Sequence, residues 1–568
     1  MLSSPNCSYR DNSVASESTT NRQDEYAVTI AIDFGTTYSG CSYKYAHSNQ
    51  IYDVVQWPKH SGFYAKVPSL LYYRTGTQRL LAWGDGAKRL SLQPGGSGTL
   101  IQQFKLWLLD DIDQRMLPPL LPGQTAVKVI SDYLTLFHEH ALNDIERTNI
   151  MGYPREKFRY CLTVPAIWNE KAKALMRQAI VEAGIINEDD PVHRLTLVSE
   201  PEAAALYCEK HSASWDMKQG SQFMVVDAGG GTVDLIIYEV EQGPEEGHRR
   251  LKEITRGYGG ICGGAYIDNN MRYLLERKLG RHAQSMPSCQ FENIMQIFIE
   301  EIKPTFCGDL DQYLPMPAGF DRARIGNIVN EDGCMRLTVD ELKHEVFGPV
   351  FDYIAKLIDD QLQDLQRPVD GIFLVGGLGC SQYLYDVLSE RFGARVSKIV
   401  MVPRADVAVA RGALHMTCAQ DIISSKIIQR TYGLCTSMLF DPALDPEDSA
   451  VITKDGVKRC MTRFDVIAFK GDRISPSGGV SRHFWVTYPK HTEATLYAYD
   501  GEGKAPRHIT HPDIKKVARF PIRMPHLADV RPGDKVDVRI EFKFGSSELI
   551  LRAFIHGQMF EFVSNVEP

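Results

Sequence analysis

An apolar run that ends in Asp and then turns through Gly and Thr occurs twice in this chain. That repetition limits the possible folds more than any other feature. The first copy is TIAIDFGTTYSG, with Asp33, Gly35, Thr36 and Thr37; the second is FMVVDAGGGTVD, with Asp227, Gly229, Gly230, Gly231, Thr232 and Asp234. Each copy reads as a buried strand feeding a tight hairpin whose backbone amides can cradle phosphate. A carboxylate at each strand end suits a hydrated Mg²⁺, which takes a few carboxylates and keeps much of its water. Two such loops facing each other across a cleft form a clamp for a nucleoside triphosphate.

With 568 residues the chain is too long for one core, and about three or four domains are expected. Hydrophobic and charged fractions of 43% and 24% are those of an ordinary globular protein. A net charge of −8 argues against general affinity for nucleic acid or anionic membranes, so neither is expected as a partner. The twelve cysteines show no CxxC pair and no zinc-type spacing. Reduced thiols in the cytoplasm or nucleus are therefore expected rather than a disulfide framework. Residues 1–25 are polar, lack an apolar core segment and read as a disordered tail rather than a signal peptide. The Asn6-Cys7-Ser8 sequon carries no weight without a secretory signal. No apolar run approaches the ~20 residues of a membrane span.

Strands and helices alternate from Tyr26 to about Ala419, the pattern of an α/β architecture. Residues 27–45 and 51–57 read as strands, and 66–122 as an irregular subdomain inserted in the first lobe. The strand YCLTVPAIW (160–168) precedes a helix capped by Asn169, apolar along Ala172, Leu175, Ala179, Ile180 and Ala183 and ended by Gly184. The chain crosses to a second lobe near Asp216 to Gly220. A further amphipathic helix, Asp340 to Gln363, carries Leu342, Val346, Val350, Ile354 and Leu357 on one stripe and leads into the strand and turn GIFLVGG. Beyond Ile428 the period changes: VDVRIEFKF alternates apolar and charged residues, and no long helical pattern follows. This region reads as an all-β sandwich. The charges of 535–543 read as an exposed strand face, His138 and His140 as solvated, and Cys262 and Cys380 as packing residues.

There is no GxxxxGK(S/T) loop, no serine-hydrolase elbow and no kinase HRD. Instead IDFGTTYS, VPSLLYY, WGDGAK, TVPAIWNEKAKALMRQAIVEAGI, SEPEAAALY, VVDAGGGTVDLII, CGGAYID, FLVGGLG and ADVAVARGAL follow one another in order. Together they resemble the ATPase domain of the 70-kilodalton heat-shock (DnaK-type) chaperones, of the actin-like ATPase superfamily. The resemblance implies two ribonuclease-H-like lobes: 26–215, with an insertion at about 61–125, and 216–420, with an insertion at about 263–340. It also implies a linker at 421–428 and a β-rich, substrate-binding-like module at 429–568.

Carried over by position, Asp33 and Asp227 would stand near a water-coordinated Mg²⁺. Gly35, Thr36, Thr37, Gly229, Gly230, Gly231 and Thr232 would line the phosphates of ATP or ADP. Glu200 and Asp234 would complete an acidic ring that orients water and accepts its proton. Glu200 before Pro201 also reads as a helix start. Lys105, in FKLWL, falls where the family places a lysine that reaches the γ-phosphate; Lys66 and Lys88 are rivals. Gly263, Gly264, Gly376 and Gly377 would admit ribose and phosphate to the backbone, although a glycine pair such as Gly376-Gly377 alone reads as a turn. Glu300 and Lys303 fit an ExxK helical pair that would hydrogen-bond the ribose and adenine region, and Asp406 would lie behind that pocket. Pro165 matches an interlobe switch proline, with Lys173 where an arginine is usual.

Pro304 and Cys380 stand where the chaperones carry basic residues, and DIISSKII replaces their apolar, acidic linker. The last ~140 residues leave no room for a helical lid, and the acidic co-chaperone tail is missing. These departures resemble a divergent, lid-less branch of the family. Two functions are expected from this pattern. One is a slow Mg²⁺-dependent chaperone-like ATPase that couples nucleotide state to the β-module, with unfolded polypeptide or a dedicated protein as partner and nucleotide-exchange or co-chaperone proteins as further ones. The other is a nucleotide-sensing scaffold that hydrolyses little. A small-molecule kinase of the superfamily is disfavoured by SEPEAAAL and by the β-module.

Overall fold

The computed structural model describes residues 25–563 except 111, 113–116, 149–151, 212–214, 216, 244–248, 318–328, 331, 364, 419–421, 454–455, 477 and 545–546. The sequon, nearly all of the expected tail, Asp216 of the lobe crossover and Asp421 of the linker lie outside the described residues.

Two sheets share one topology. In the first, Val28–Asp33 is flanked by the antiparallel strand Tyr38–Tyr45 on one side and by Phe158–Val164 and Leu195–Ser199, both parallel, on the other. In the second, Gln222–Ala228 sits between the antiparallel Val233–Gln242 and the parallel Gly371–Val375 and Ile399–Met401. Ile51–Asp53 and Arg249–Glu253 each add an antiparallel strand beyond the hairpin. The central strands are buried along their whole length, as strands covered on both faces must be.

Between the sheets lie the helices Glu200–Lys210 and Ala408–Cys418, packed through Ala203, Ala204, Ala205, Ala408, Ala410 and Ala413. Small residues let the two backbones come close. At Gly412 an added Cβ would lie 1.8 Å from the carbonyl oxygen of Ala203.

The stretch expected to be irregular is ordered. Leu80–Trp83, Leu70–Arg74 and Gly98–Gln102 form a three-stranded sheet with the helix Gly84–Ser91 against it. Its Gly-rich turn at 94–98 hid the pattern. The helix after Asn169 runs Glu170–Glu182, with the Asn169 side chain accepting from the Ala172 amide at 2.9 Å. Thr338 and Glu341 form a reciprocal capping box for the later helix, which passes through a π-turn at Leu342–Phe347 before Gly348–Gln363. The segment 51–57 is strand only over Ile51–Asp53.

Beyond Ile428 the described residues form two antiparallel sheets, of five and four strands. Their facing sides meet in one core that includes Leu434, Leu496, Phe520, Val538, Ile540 and Phe542. In Lys535–Lys543 the even-numbered apolar residues point inward and the charged ones outward, as the alternation implied. No described helix is long and apolar enough to cross a membrane.

Substituting Gly412→Ala forces the two central helices apart. Overpacking of this kind costs about 1–3 kcal/mol, and a drop of several degrees in thermal midpoint by scanning calorimetry is the expected readout.

Candidate functional site

The paired hairpins bring their acids to one place. In the first, Asp33 lies across from Gly40; in the second, Asp227 lies across from Asp234. Glu200 joins them as the first residue of its helix, so the helix-start and acidic-ring readings hold together geometrically. Burial, then the neighbouring acids, pushes the Asp227 carboxyl well above its ordinary value. Burial likewise pushes Asp234 up to about 6 and Glu200 up to about 7, the latter against the opposing pull of Lys105.

Two lysines answer this charge. Lys105, in the short helix Phe104–Leu108, donates to Glu200 Oε1 at 2.6 Å, with its ammonium 5.3 Å from the Trp168 ring centroid. Lys66 donates to Asp33 Oδ2, while Asp33 Oδ1 accepts from the Thr163 hydroxyl at 3.1 Å. Of the three lysines considered from sequence, two therefore reach the acids. The third, Lys88, pairs with Glu300 instead, linking the two inserted subdomains. Lys66 is a rival for the phosphate lysine in the sequence, but its contact with Asp33, and that of Thr163, come only from distant strand pairings.

The loops themselves interlock. An added Cβ at Gly230 would meet Thr37 Oγ1 at 2.2 Å, and one at Gly231 would meet Thr36 Oγ1 at 2.3 Å. At Gly35 it would meet the Tyr38 carbonyl oxygen at 2.1 Å. The Gly229 amide donates to Thr232 O at 3.0 Å, closing the second turn. The amides of Gly263 and Gly264 donate to the carbonyls of Gly231 and Gly229 at 3.1 and 2.9 Å, so these glycines buttress the second loop from behind. Gly376 has φ +81°, and a Cβ there would lie 2.4 Å from Asp227 Oδ1, whereas Gly377 faces open space.

Lys303 binds Gly264 O and Asp268 Oδ1, each at 2.7 Å, while Glu300 pairs with Lys88. Asp406 accepts from Arg404 Nε at 3.1 Å. His138 is not solvated. It shares the buried face of Ala126–Thr148 with Leu134, Ala141 and Leu142, its Nε2 is 3.1 Å from the Tyr160 hydroxyl, and burial pushes its pKa down to about 4. Cys262 is buried as expected, but Cys380 is exposed because it follows the open Gly376–Gly379 turn.

A hydrated Mg²⁺ fits the second hairpin. Asp234 Oδ1 accepts from the Ile167 amide at 3.2 Å, and its Oδ2 is buried with no hydrogen-bond partner. Asp227 has no ion pair among the described residues. The donors there are all oxygens, the set a hard divalent ion takes. Asp445, Cys460 and His508 also cluster, but Arg463 and Arg507 already hold Asp445 at 2.8 and 2.7 Å, and those cations oppose a metal.

The family profile described as Hsp70 protein matches residues 155–425. Human heat shock 70 kDa protein 12B is 24% identical, with 94% of this chain and 90% of that protein aligned. Mouse heat shock 70 kDa protein 12A is 23% identical, with 93% and 90% aligned. The chaperone protein DnaK of Thermosipho melanesiensis is 26% identical over 56% of this chain and 52% of its own length. These matches support a divergent Hsp70-family member with that family's actin-like ATPase fold followed by a β-rich region, and they suggest a nucleotide-binding, chaperone-like protein.

The segment expected to be a loose linker is a strand. Ile423–Ile427 pairs in parallel with Arg249–Glu253 and extends the second sheet. Lys426 forms an ion pair with Glu202 at 2.5 Å, and the Ile427 amide donates to Glu253 Oε2 at 2.8 Å. Nearby, Arg177 makes a two-pronged bond to Glu548 of the β-module, both prongs 2.7 Å, and Tyr432 donates to Glu170 at 3.2 Å. Pro165, Lys173, Lys426 and Tyr432 line one small cavity of about 110 Å³ at this junction.

Burial raises the Glu253 carboxyl to about 8 from an ordinary 4.5, with Lys426 pulling down and Glu202 pushing up. The folded chain thus holds a proton that the unfolded chain has released. Glu253 opposes folding progressively as pH climbs from about 4.5 toward about 8. Glu253→Gln removes that dependence, and its advantage in thermal midpoint over the natural chain should widen between about pH 6 and pH 8.5. A constant difference across that range would show that Glu253 is ionised throughout.

Proposed function

We propose that this chain is a slow, Mg²⁺-dependent ATPase of chaperone type, in which the nucleotide state of the cleft is communicated to the β-module. The observation that carries the proposal is the helix Glu200–Lys210, which holds Glu200 on the acidic ring and Glu202 on Lys426 of the strand leading into the module. A shift of that helix on nucleotide binding bears on both ends at once.

Asp227 and Asp234 would hold the Mg²⁺, with Asp33 close by. The bound ion neutralises charge that develops on the transferring phosphoryl group. The loops at Gly35, Thr36 and Thr37 and at Gly229, Gly230, Gly231 and Thr232 cradle the phosphates, and Lys105 adds positive charge. Gly376 gives the backbone its close approach to the Asp227 carboxylate. Gly263, Gly264, Gly377, Glu300, Lys303 and Asp406 surround the ribose and adenine end. Glu200, raised to about 7, is suited to take a proton from the attacking water near neutral pH.

The β-module is the partner-binding element of this proposal. One hollow on it, about 690 Å³, is lined by His483, Asp534, Lys535, Asp537, Arg539 and Phe554. That charged lining supports a dedicated, polar protein partner over an apolar stretch of unfolded chain. The reduced thiols at Cys41 and Cys208 accord with the cytoplasm or nucleus.

Glu200→Gln keeps the size of the side chain and removes the base. Steady-state phosphate release should fall about 100-fold or more while ATP binding is retained. Unchanged turnover would refute the assigned role, and tight binding without turnover in the natural chain would favour the nucleotide-sensing scaffold. Lys426→Met tests the coupling. ATP should alter protease sensitivity of the β-module in the natural chain and leave it unaltered in the variant.

A further inference from the structure

The two hairpins are equivalent in topology but unequal in charge. On one ladder rung stand Asp33, then Gly40, then Lys66 of the third strand. On the matching rung of the second lobe stand Asp227, then Asp234, then Gly259. Where one rung carries two carboxylates, the other carries one carboxylate and an ammonium.

Gly40 makes this possible. A Cβ there would lie 2.9 Å from Lys66 Cδ and 3.2 Å from Cε, so the lysine stem runs directly over the missing side chain. The Lys66 side chain is only 10% exposed. Both Asp33 oxygens are engaged, one by Lys66 and one by Thr163. A divalent ion drawn to Asp33 therefore competes with a buried ion pair. Breaking such a pair leaves a charge without its partner and is strongly unfavourable.

We infer that Lys66 is a built-in cation of the phosphate cleft, partnering Asp33 and facing the phosphates, so that this chain binds nucleotide without a divalent metal. The inference rests on the reading of the cleft as a nucleotide site. Hydrolysis still draws on the metal at Asp227 and Asp234; binding does not require it. An ammonium is a compact point charge suited to phosphate, and here it is held in position by the rung it sits on.

The test measures binding of fluorescently labelled ADP to the full chain by anisotropy, in millimolar Mg²⁺ and in EDTA. In the natural protein the dissociation constant should change by less than about threefold between the two conditions. In Lys66→Met it should weaken at least about tenfold in EDTA and recover with Mg²⁺. A second readout needs no nucleotide: Mg²⁺ alone should raise the thermal midpoint of Lys66→Met by clearly more than that of the natural chain, because only the variant leaves Asp33 without its cation, and equal shifts would overturn the inference. Loss of ADP binding by the natural protein in EDTA overturns the inference and leaves the nucleotide site standing, whatever the stability of the variant. Absence of ADP binding in both conditions overturns both.

Discussion

Four carboxylates converge at the floor of one cleft, and the surrounding fold is organised to tolerate their repulsion. Asp33 and Asp227 end the central strands of the two sheets, Asp234 lies across its hairpin, and Glu200 begins a helix. Burial pushes Glu200, Asp227 and Asp234 above their ordinary values, and repulsion from neighbouring acids adds to it at Glu200 and Asp227. Lysines at 66 and 105 relieve two of the four charges. The remaining two stand together in the second lobe, poised for an external cation. A site this loaded favours anything that brings positive charge and phosphate together.

The same helix that presents Glu200 also packs on the helix containing Gly412 and binds the strand that leads to the β-module. Three functions of the fold therefore share one rigid element. Lys426 and Glu202 form a buried ion pair beside Glu253 at the exit of the second lobe, and Arg177 with Glu548 fixes the module to the first. The module is thereby tied to both lobes, so a change in the angle between the lobes strains its attachment. The chaperone-type reading rests on this arrangement, and the low exposure of each contact gives it energetic weight.

The paired hairpins were legible because their information is local. Apolar run, carboxylate and glycine turn occupy about a dozen residues, and turn chemistry alone specifies them. The β-sandwich was legible for a similar reason, since alternation at period two marks each strand. What escaped was non-local. Lys66 lies in a stretch that reads as irregular, and only its pairing with Tyr38–Tyr45 aims it at Asp33. The exit strand Ile423–Ile427 has no strand pattern of its own and becomes one by adding to an existing edge. His138 was misread because its polar neighbours in FHEH masked the buried line Leu134, His138, Ala141, Ile145. The ExxK spacing of Glu300 and Lys303 likewise says nothing of their protein partners, Lys88 for one and Asp268 for the other.

The central claim is that both hairpins close on one phosphate chain. Amide hydrogen exchange of the full-length protein, followed by mass spectrometry with and without ATP, tests it most directly. The expected result is slower exchange in peptides spanning both Asp33 to Gly40 and Asp227 to Asp234, appearing together over the same range of ATP concentration. Slowing in one hairpin alone, or in neither, would contradict it.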